Sequence, residues 1–202
     1  ESADMVDEVG FGFYYQPAFN PGIDALFERR DNMGVRTFVN TVETLANPAN
    51  ADVHLGSFYH LPFAVKMTDT LKTAESQSVS RTLFFQGMEG YDDVRPGTTV
   101  VGEWNEGEGE LDDFEIKTAE YGMDFESEDL GVEDVAAESA EITEAVLAGE
   151  RDDQFADAVA LNAALRIYAR EDADSIDEGL ETAREVLASG EAEDVLDDLR
   201  DF

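Results

Sequence analysis

Two adjacent carboxylates, Asp92 and Asp93, end the run Gln86-Gly87-Met88-Glu89-Gly90-Tyr91-Asp92-Asp93, which follows the largely apolar stretch Arg81-Thr82-Leu83-Phe84-Phe85-Gln86. Such a stretch reads as a buried strand, and in parallel α/β sheets ligands bind at the carboxyl ends of strands. The glycine-containing loop would deliver both aspartates to that place. Hard, neighbouring oxygen donors suit Mg²⁺, which keeps several waters and is usually held by one or two carboxylates together with substrate phosphates. The competing reading is chance, because a chain with 48 acidic residues produces Asp-Asp pairs without a site.

Arg29 and Arg30 stand out for the opposite reason. Only ten arginines and three lysines occur in the chain, and an adjacent pair ahead of Met33-Gly34 can offer a guanidinium to a carboxylate or phosphate in bidentate fashion. Pairing with a local acid is the plainer alternative. Asn162 lies in the otherwise apolar run Val159-Ala160-Leu161-Asn162-Ala163-Ala164, so its amide should be buried and satisfied by hydrogen bonds, a structural role. His54 and His60 have no catalytic partner pattern around them and read as ordinary strand and loop histidines. The chain contains no serine nucleophile elbow, P-loop or dinucleotide fingerprint.

The elements that must position these residues follow from periodicity. Thr37 to Asn47 carries Phe38, Thr41, Val42 and Leu45 at helical spacing and ends at Asn47-Pro48. Val53 to Phe58 reads as a strand, Ala64, Met67, Leu71 and Ala74 mark one helix face, and Arg81 to Gln86 is the second strand. Strand, helix, strand implies a right-handed parallel crossover. Thr98 to Trp104 and Leu111 to Ile116 flank a polar, glycine-containing stretch and predict an antiparallel hairpin with a wet outer face. The last third predicts helices over Val135 to Leu147, Phe155 to Tyr168, Ile176 to Leu187 and Val195 to Phe202. Ser175 and Glu178 have capping-box spacing, and Gly190 is a C-terminal stop. The expected fold is α/β, a central, mostly parallel sheet flanked by helices with a β-hairpin extension, and residues 1–202 form one domain.

Composition narrows the chemistry. The chain has 202 residues, 48 acidic against 13 basic, and a net charge of -35, yet 43% of residues are hydrophobic, so it has a core and is no disordered acidic tail. Acids are spread along the whole length and lysine is confined to Lys66, Lys72 and Lys117, which points to adaptation of the entire surface to concentrated salt. Binding to a nucleic-acid backbone is disfavoured, since it needs a cationic face. With no cysteine and two histidines, thiolate metal sites and histidine clusters are excluded. No apolar run approaches the roughly 20 residues of a membrane span, and the expected location is cytoplasmic. The first residue is Glu, so a processed, cleaved or partial chain is expected.

Taken together, several segments resemble the anthranilate phosphoribosyltransferase family, within glycosyltransferase family 3 and the nucleoside phosphorylase-like group. Gly10-Phe11-Gly12-Phe13, Pro17 and Pro21 resemble G-x-G-F-x-x-x-P-x-x-H-P, and Arg30-Asp31-Asn32-Met33-Gly34-Val35-Arg36-Thr37 resembles R-x-x-L-G-x-R-T. Asn40 and Asn47-Pro48 fit F-N-x-L-G-P-L-x-N-P, Gly90-Tyr91-Asp92-Asp93 fits G-x-D-E, and Asp157 to Ala164 fits D-x-V-x-L-N-A-A. Glu178-Gly179-Leu180 through Ser189-Gly190 resembles the family's closing helix. The acid-rich surface is similar to that of haloarchaeal proteins.

The resemblance implies transfer of a phosphoribosyl group from phosphoribosyl pyrophosphate (PRPP) to anthranilate or a related aromatic amine, with Mg²⁺ carrying the pyrophosphate. Asp92 and Asp93 would be the metal carboxylates, and Arg30, with Asn20, would contact substrate. Asn20 stands where the family has histidine, Glu43-Thr44 where it has Gly-Pro, Gln86 where it has histidine, and Asp93 where it has glutamate. An acidic Glu43 pointed at the acceptor site would repel an aromatic carboxylate. The alternative is therefore a non-catalytic or altered-acceptor paralogue that binds a ligand or nucleic acid. Neither the family's glycine-rich PRPP loop nor its helical N-terminal domain is found in this sequence, so the chain is expected to be the C-terminal lobe, with little activity alone and a possible homodimer in the full-length protein.

Overall fold

A computed structural model describes residues 2–34, 43–87 and 93–202, apart from the side chains of Phe27, Arg30 and Asp31. The sheet is mixed and its order is β1-β2-β3-β4: β1 (Val53–Phe58), β2 (Arg81–Gln86), β3 (Thr98–Asn105) and β4 (Asp112–Lys117). β1 pairs with β2 in parallel, with Val53 opposite Arg81 and Phe58 opposite Gln86. The other two pairings are antiparallel, so the hairpin continues the sheet beyond the parallel β1–β2 pair.

β2 occupies the centre because both of its faces are apolar. Leu83 and Phe85 enter one cluster with Val101, Ile116, Leu161, Leu165 and Leu180, whereas Phe84 points the other way to Phe58, Ala64, Met67 and Leu71. That alternation is the two-residue period of a strand, and each fully buried side chain of this size contributes about 1.5–3 kcal/mol. Most of β3 is likewise buried, and the wet face expected of the hairpin is found on the edge strand β4.

Eight α-helices are found among the described residues: α1 (Ser2–Val9), α2 (Gln16–Phe19), α3 (Pro21–Met33), α4 (Leu61–Thr73), α5 (Val135–Leu147), α6 (Gln154–Ala169), α7 (Ile176–Ser189) and α8 (Glu191–Asp201). α4 links β1 to β2 and covers one side of the sheet, burying Ala64, Met67 and Leu71. α6 and α7 cover the other. They approach so closely that a Cβ on Gly179 would lie 2.6 Å from the Ala164 carbonyl oxygen, which is why a glycine stands there. None of the described helices is long and apolar enough to cross a membrane.

Local signals start and stop these helices. Asp153 caps α6 by accepting from the Phe155 and Ala156 amides, and the Arg151 guanidinium hydrogen-bonded to it holds its carboxyl below the usual carboxylate value. Ser175 Oγ accepts from the Glu178 amide at 3.2 Å, and Glu178 reaches back to the Asp174 amide at 2.9 Å. Gly190, at φ +85°, ends α7 and begins α8. The helix expected over 37–47 falls mostly outside the described residues; Glu43 and Thr44 are helical, and the turn closes before Asn47-Pro48.

At the amino end of β2 lies a buried ionic cluster. Arg81 is 7% exposed. Its guanidinium pairs with Glu103 on β3 and donates to the Tyr168 and Ala169 carbonyls at 3.0 and 3.2 Å, capping the end of α6. The Tyr168 ring lies 4.5 Å beneath it, and the Tyr168 hydroxyl donates to Glu103. Apart from the exposed Glu171 carboxylate, 3.9 Å from Arg81 Nη1, these partners belong to the scaffold, so the cluster fastens helix to sheet.

Candidate functional site

At the carboxyl end of β2 the chain leaves the sheet at Gln86 and returns at Val94, with Asp93 half-buried just before the return. Four contacts fix this stem. The Gly87 amide donates to the Phe58 carbonyl at 3.0 Å, which extends the β1–β2 pairing by one residue. Arg95 Nη2 donates to the Gln86 carbonyl at 3.1 Å, tying the two sides of the loop together. The Arg95 amide donates to Thr99 Oγ1 at 3.1 Å.

The fourth contact comes from across the fold. Asn162 on α6 accepts from the Val94 amide through Oδ1 at 2.8 Å and donates to the Val94 carbonyl through Nδ2 at 3.0 Å. The amide thereby offers Val94 the acceptor and donor that a neighbouring strand would offer. The second Nδ2 proton goes to the Ala158 carbonyl at 3.0 Å, so both donors are satisfied, as the sequence reading required. Asn162 is half-buried.

The residues singled out from the sequence are placed as follows. Asp93 lies on the stem, whereas Asp92 falls outside the described residues. Asn20 precedes α3 and its Oδ1 accepts from the Ile23 amide at 3.3 Å, a helix-capping contact. Arg30 lies on α3, and its side chain is among those not described. Glu43 and Thr44 are half-buried. A Cβ on Gly56 would lie 2.8 Å from Thr44 Cγ2, and His54 Nε2 is 2.8 Å from the Thr44 carbonyl oxygen, so β1 holds this segment closely. His54 is buried there as a scaffold contact, and His60 is exposed ahead of α4.

Arg95 was not singled out by the sequence reading. It is half-buried, and its Nε is buried without a hydrogen-bond partner among the described residues. The available signal was an arginine two residues beyond an Asp-Asp pair in a chain that carries few cations.

The donor set can be tested against Mg²⁺ by its chemistry. The described residues contain no cluster of three or more His, Asp or Glu side chains spaced to hold a metal. The adjacent carboxylates of Asp92-Asp93 match the usual protein share for Mg²⁺, one or two carboxylates, with phosphate oxygens and water supplying the rest. Asp92 and Asp93 are the residues of this loop that would hold it.

Comparison with known proteins agrees with this architecture. The family described as "Glycosyl transferase family, a/b domain" matches residues 1–193. Anthranilate phosphoribosyltransferase from Dechloromonas aromatica is 36% identical over 197 residues, a match covering 96% of this chain and 56% of the relative. The crystal structure of anthranilate phosphoribosyltransferase from Thermus thermophilus superposes with a TM-score of 0.78 at 30% identity, covering 97% of this chain and 56% of that one. The Saccharomyces cerevisiae enzyme in complex with PRPP and Mg shares the fold, with a TM-score of 0.77 at 21% identity over 98% of this chain and 55% of that one. The chain thus spans a little over half the length of the relatives it matches. By a family match that runs through the sheet and the loop stem and into the last helix, the chain belongs to the glycosyl transferase family, through its α/β domain.

Proposed function

We propose that this chain is the α/β lobe of a Mg²⁺-dependent phosphoribosyltransferase, transferring the phosphoribosyl group of PRPP to anthranilate or a related aromatic amine. The observation that carries the reading is the stem after β2. The segment containing Asp92-Asp93 follows the carboxyl end of the parallel β1–β2 pair, and its flanks are pinned by Gly87, Arg95 and Asn162. The names of the relatives, and of the yeast complex with PRPP and Mg, support the same reading.

In the proposed reaction the acceptor nitrogen bonds to ribose C1, the C1–oxygen bond breaks, and pyrophosphate leaves with the electron pair while the amine proton passes to solvent. Bound Mg²⁺ would neutralise the charge gathering on that leaving group. The protein's part is positioning and electrostatics. Asp92 and Asp93 would hold the Mg²⁺, and Arg30 and Asn20 would contact substrate on the acceptor side. The chain represents the C-terminal lobe, and the rest of the site and any dimer contact come from the remainder of the full-length protein.

Glu43 supports a second reading for the acceptor. A half-buried carboxylate where the family has glycine disfavours an aromatic acid nearby, so an altered amine acceptor is the alternative. Calorimetry on the full-length protein tests both. PRPP should bind only with Mg²⁺, and replacing Asp92 and Asp93 by Asn should abolish that dependence. Intact protein that ignores PRPP would instead favour a non-catalytic paralogue. If PRPP binds, turnover of another aromatic amine but not anthranilate would establish the altered acceptor.

A further inference from the structure

We propose that Asn162 is a positioning residue for the metal loop, acting through the peptide that joins Asp93 to Val94. The proposal rests on the Mg²⁺-dependent reading of that loop. The Val94 amide that Asn162 receives is the N–H of this very peptide, at 2.8 Å. Holding that peptide plane fixes the position of the Asp93 Cα and the axis of its Cα–C bond, from which the carboxylate is hung. The second contact, to the Val94 carbonyl at 3.0 Å, fixes the next peptide as well. Two consecutive peptides held by one planar side chain leave the carboxyl stem of the loop little freedom to rotate.

The amide's own orientation is set independently. Nδ2 also donates to the Ala158 carbonyl one turn back, and Arg166 Nη1 lies 3.5 Å from Asn162 Oδ1. Turning the amide over would oppose Oδ1 to two carbonyl oxygens and the NH₂ group to an N–H. Asn162 is therefore held in one orientation before the loop docks on it. Val94 itself is 5% exposed in the main core cluster, so depth is set by packing and rotation by the amide.

This arrangement separates the idea from a merely structural one. Residues that orient a metal ligand from behind typically change metal affinity about tenfold to a hundredfold when lost. In the full-length protein, Asn162→Leu removes both contacts at similar volume, and Asn162→Asp sets carboxylate oxygen against the Val94 and Ala158 carbonyls. Gly179→Ala is the control, because it strains the α6–α7 contact at the Ala164 carbonyl without touching the loop.

The measurement is PRPP binding by calorimetry across a Mg²⁺ titration, alongside melting temperature. We expect the Mg²⁺ concentration for half-maximal binding to rise about tenfold or more in both Asn162 variants and to stay at the parent value in Gly179→Ala, even though all three melt earlier. Asn162 variants that melt earlier but keep the parent Mg²⁺ requirement would overturn the positioning role while leaving the proposed function intact. A parent protein that binds PRPP equally with and without Mg²⁺ would instead remove the functional reading, and this inference with it. Should the Asp variant fail to fold, Asn162→Ser, neutral and too short to reach both Val94 groups, is read against the same two outcomes.

Discussion

The two ends of β2 each carry an arginine, and the two are used differently. At the amino end, Arg81 is 7% exposed and meets the Glu103 carboxylate, two helix-terminal carbonyls and an aromatic face from β3 and α6, with the exposed Glu171 carboxylate 3.9 Å away. At the carboxyl end, Arg95 ties Gln86 across the mouth of a loop, and its Nε has no partner among the described residues. One end is a closed ionic cluster that can only stabilise. The other is a stem that holds a loop in place. Charge burial alone does not mark a site; what separates the two is whether every polar group finds its partner among the described residues.

The sharpest way to break the comparison is Arg81→Met. Removing one partner of a buried pair leaves Glu103 uncompensated and should cost about 3–5 kcal/mol in urea unfolding. The same variant should keep the parent's Mg²⁺ requirement for PRPP, and a raised requirement would mean that the two ends are not separate. A smaller effect comes from salt. Screening reaches exposed charges far more than buried ones, so KCl should raise the melting temperature of the parent and of Arg81→Met in parallel. A melting temperature flat in KCl would remove the argument for salt adaptation.

The smallest expected effect lies at alkaline pH. Burial, and then the Glu103 charge, pushes the Tyr168 phenol above its ordinary value of 10.0. The folded state therefore favours the neutral phenol, and the stability this gives is complete below 10.0 and lost as pH climbs through the higher folded value. Urea midpoints should fall over that range, and less steeply in Tyr168→Phe. Burial also raises Tyr121, so an unchanged slope in the Phe variant would assign the limb to that residue.

Where a segment's burial is set by its own residues, the sequence was readable. β1 and β2 were expected over the residues they occupy, β2 because the consecutive apolar Leu83, Phe84 and Phe85 bounded by polar residues leave few alternatives, and Ser175 and Gly190 announced the bounds of α7. α1 to α3 were not foreseen. Their stretch mixes Phe, Tyr, Pro and Gly, and many of its aromatics remain exposed, Phe13 at 66% and Tyr15 at 62%, so no clean apolar face announces a helix. The candidate site was half legible. The satisfied amide of Asn162 could be read, but its contact with Val94, beside Asp93, could not. Val94 is 68 residues away from Asn162, and nothing local to either position encodes a contact made by the tertiary fold. Arg81 was hidden for the same reason, since its partners lie on β3 and α6.

Helix α6 touches both ends of β2, through Asn162 at one and through the Tyr168 and Ala169 carbonyls at the other. At a rise of 1.5 Å per residue the two anchors are about 9 Å apart along its axis. One inserted residue would turn everything beyond it by about 100°, so that either the amide or the carbonyls would miss its target. The segment between them is thus a ruler with fixed graduations: its side chains are free to drift by substitution, but relatives that keep both anchors should never gain or lose a residue there.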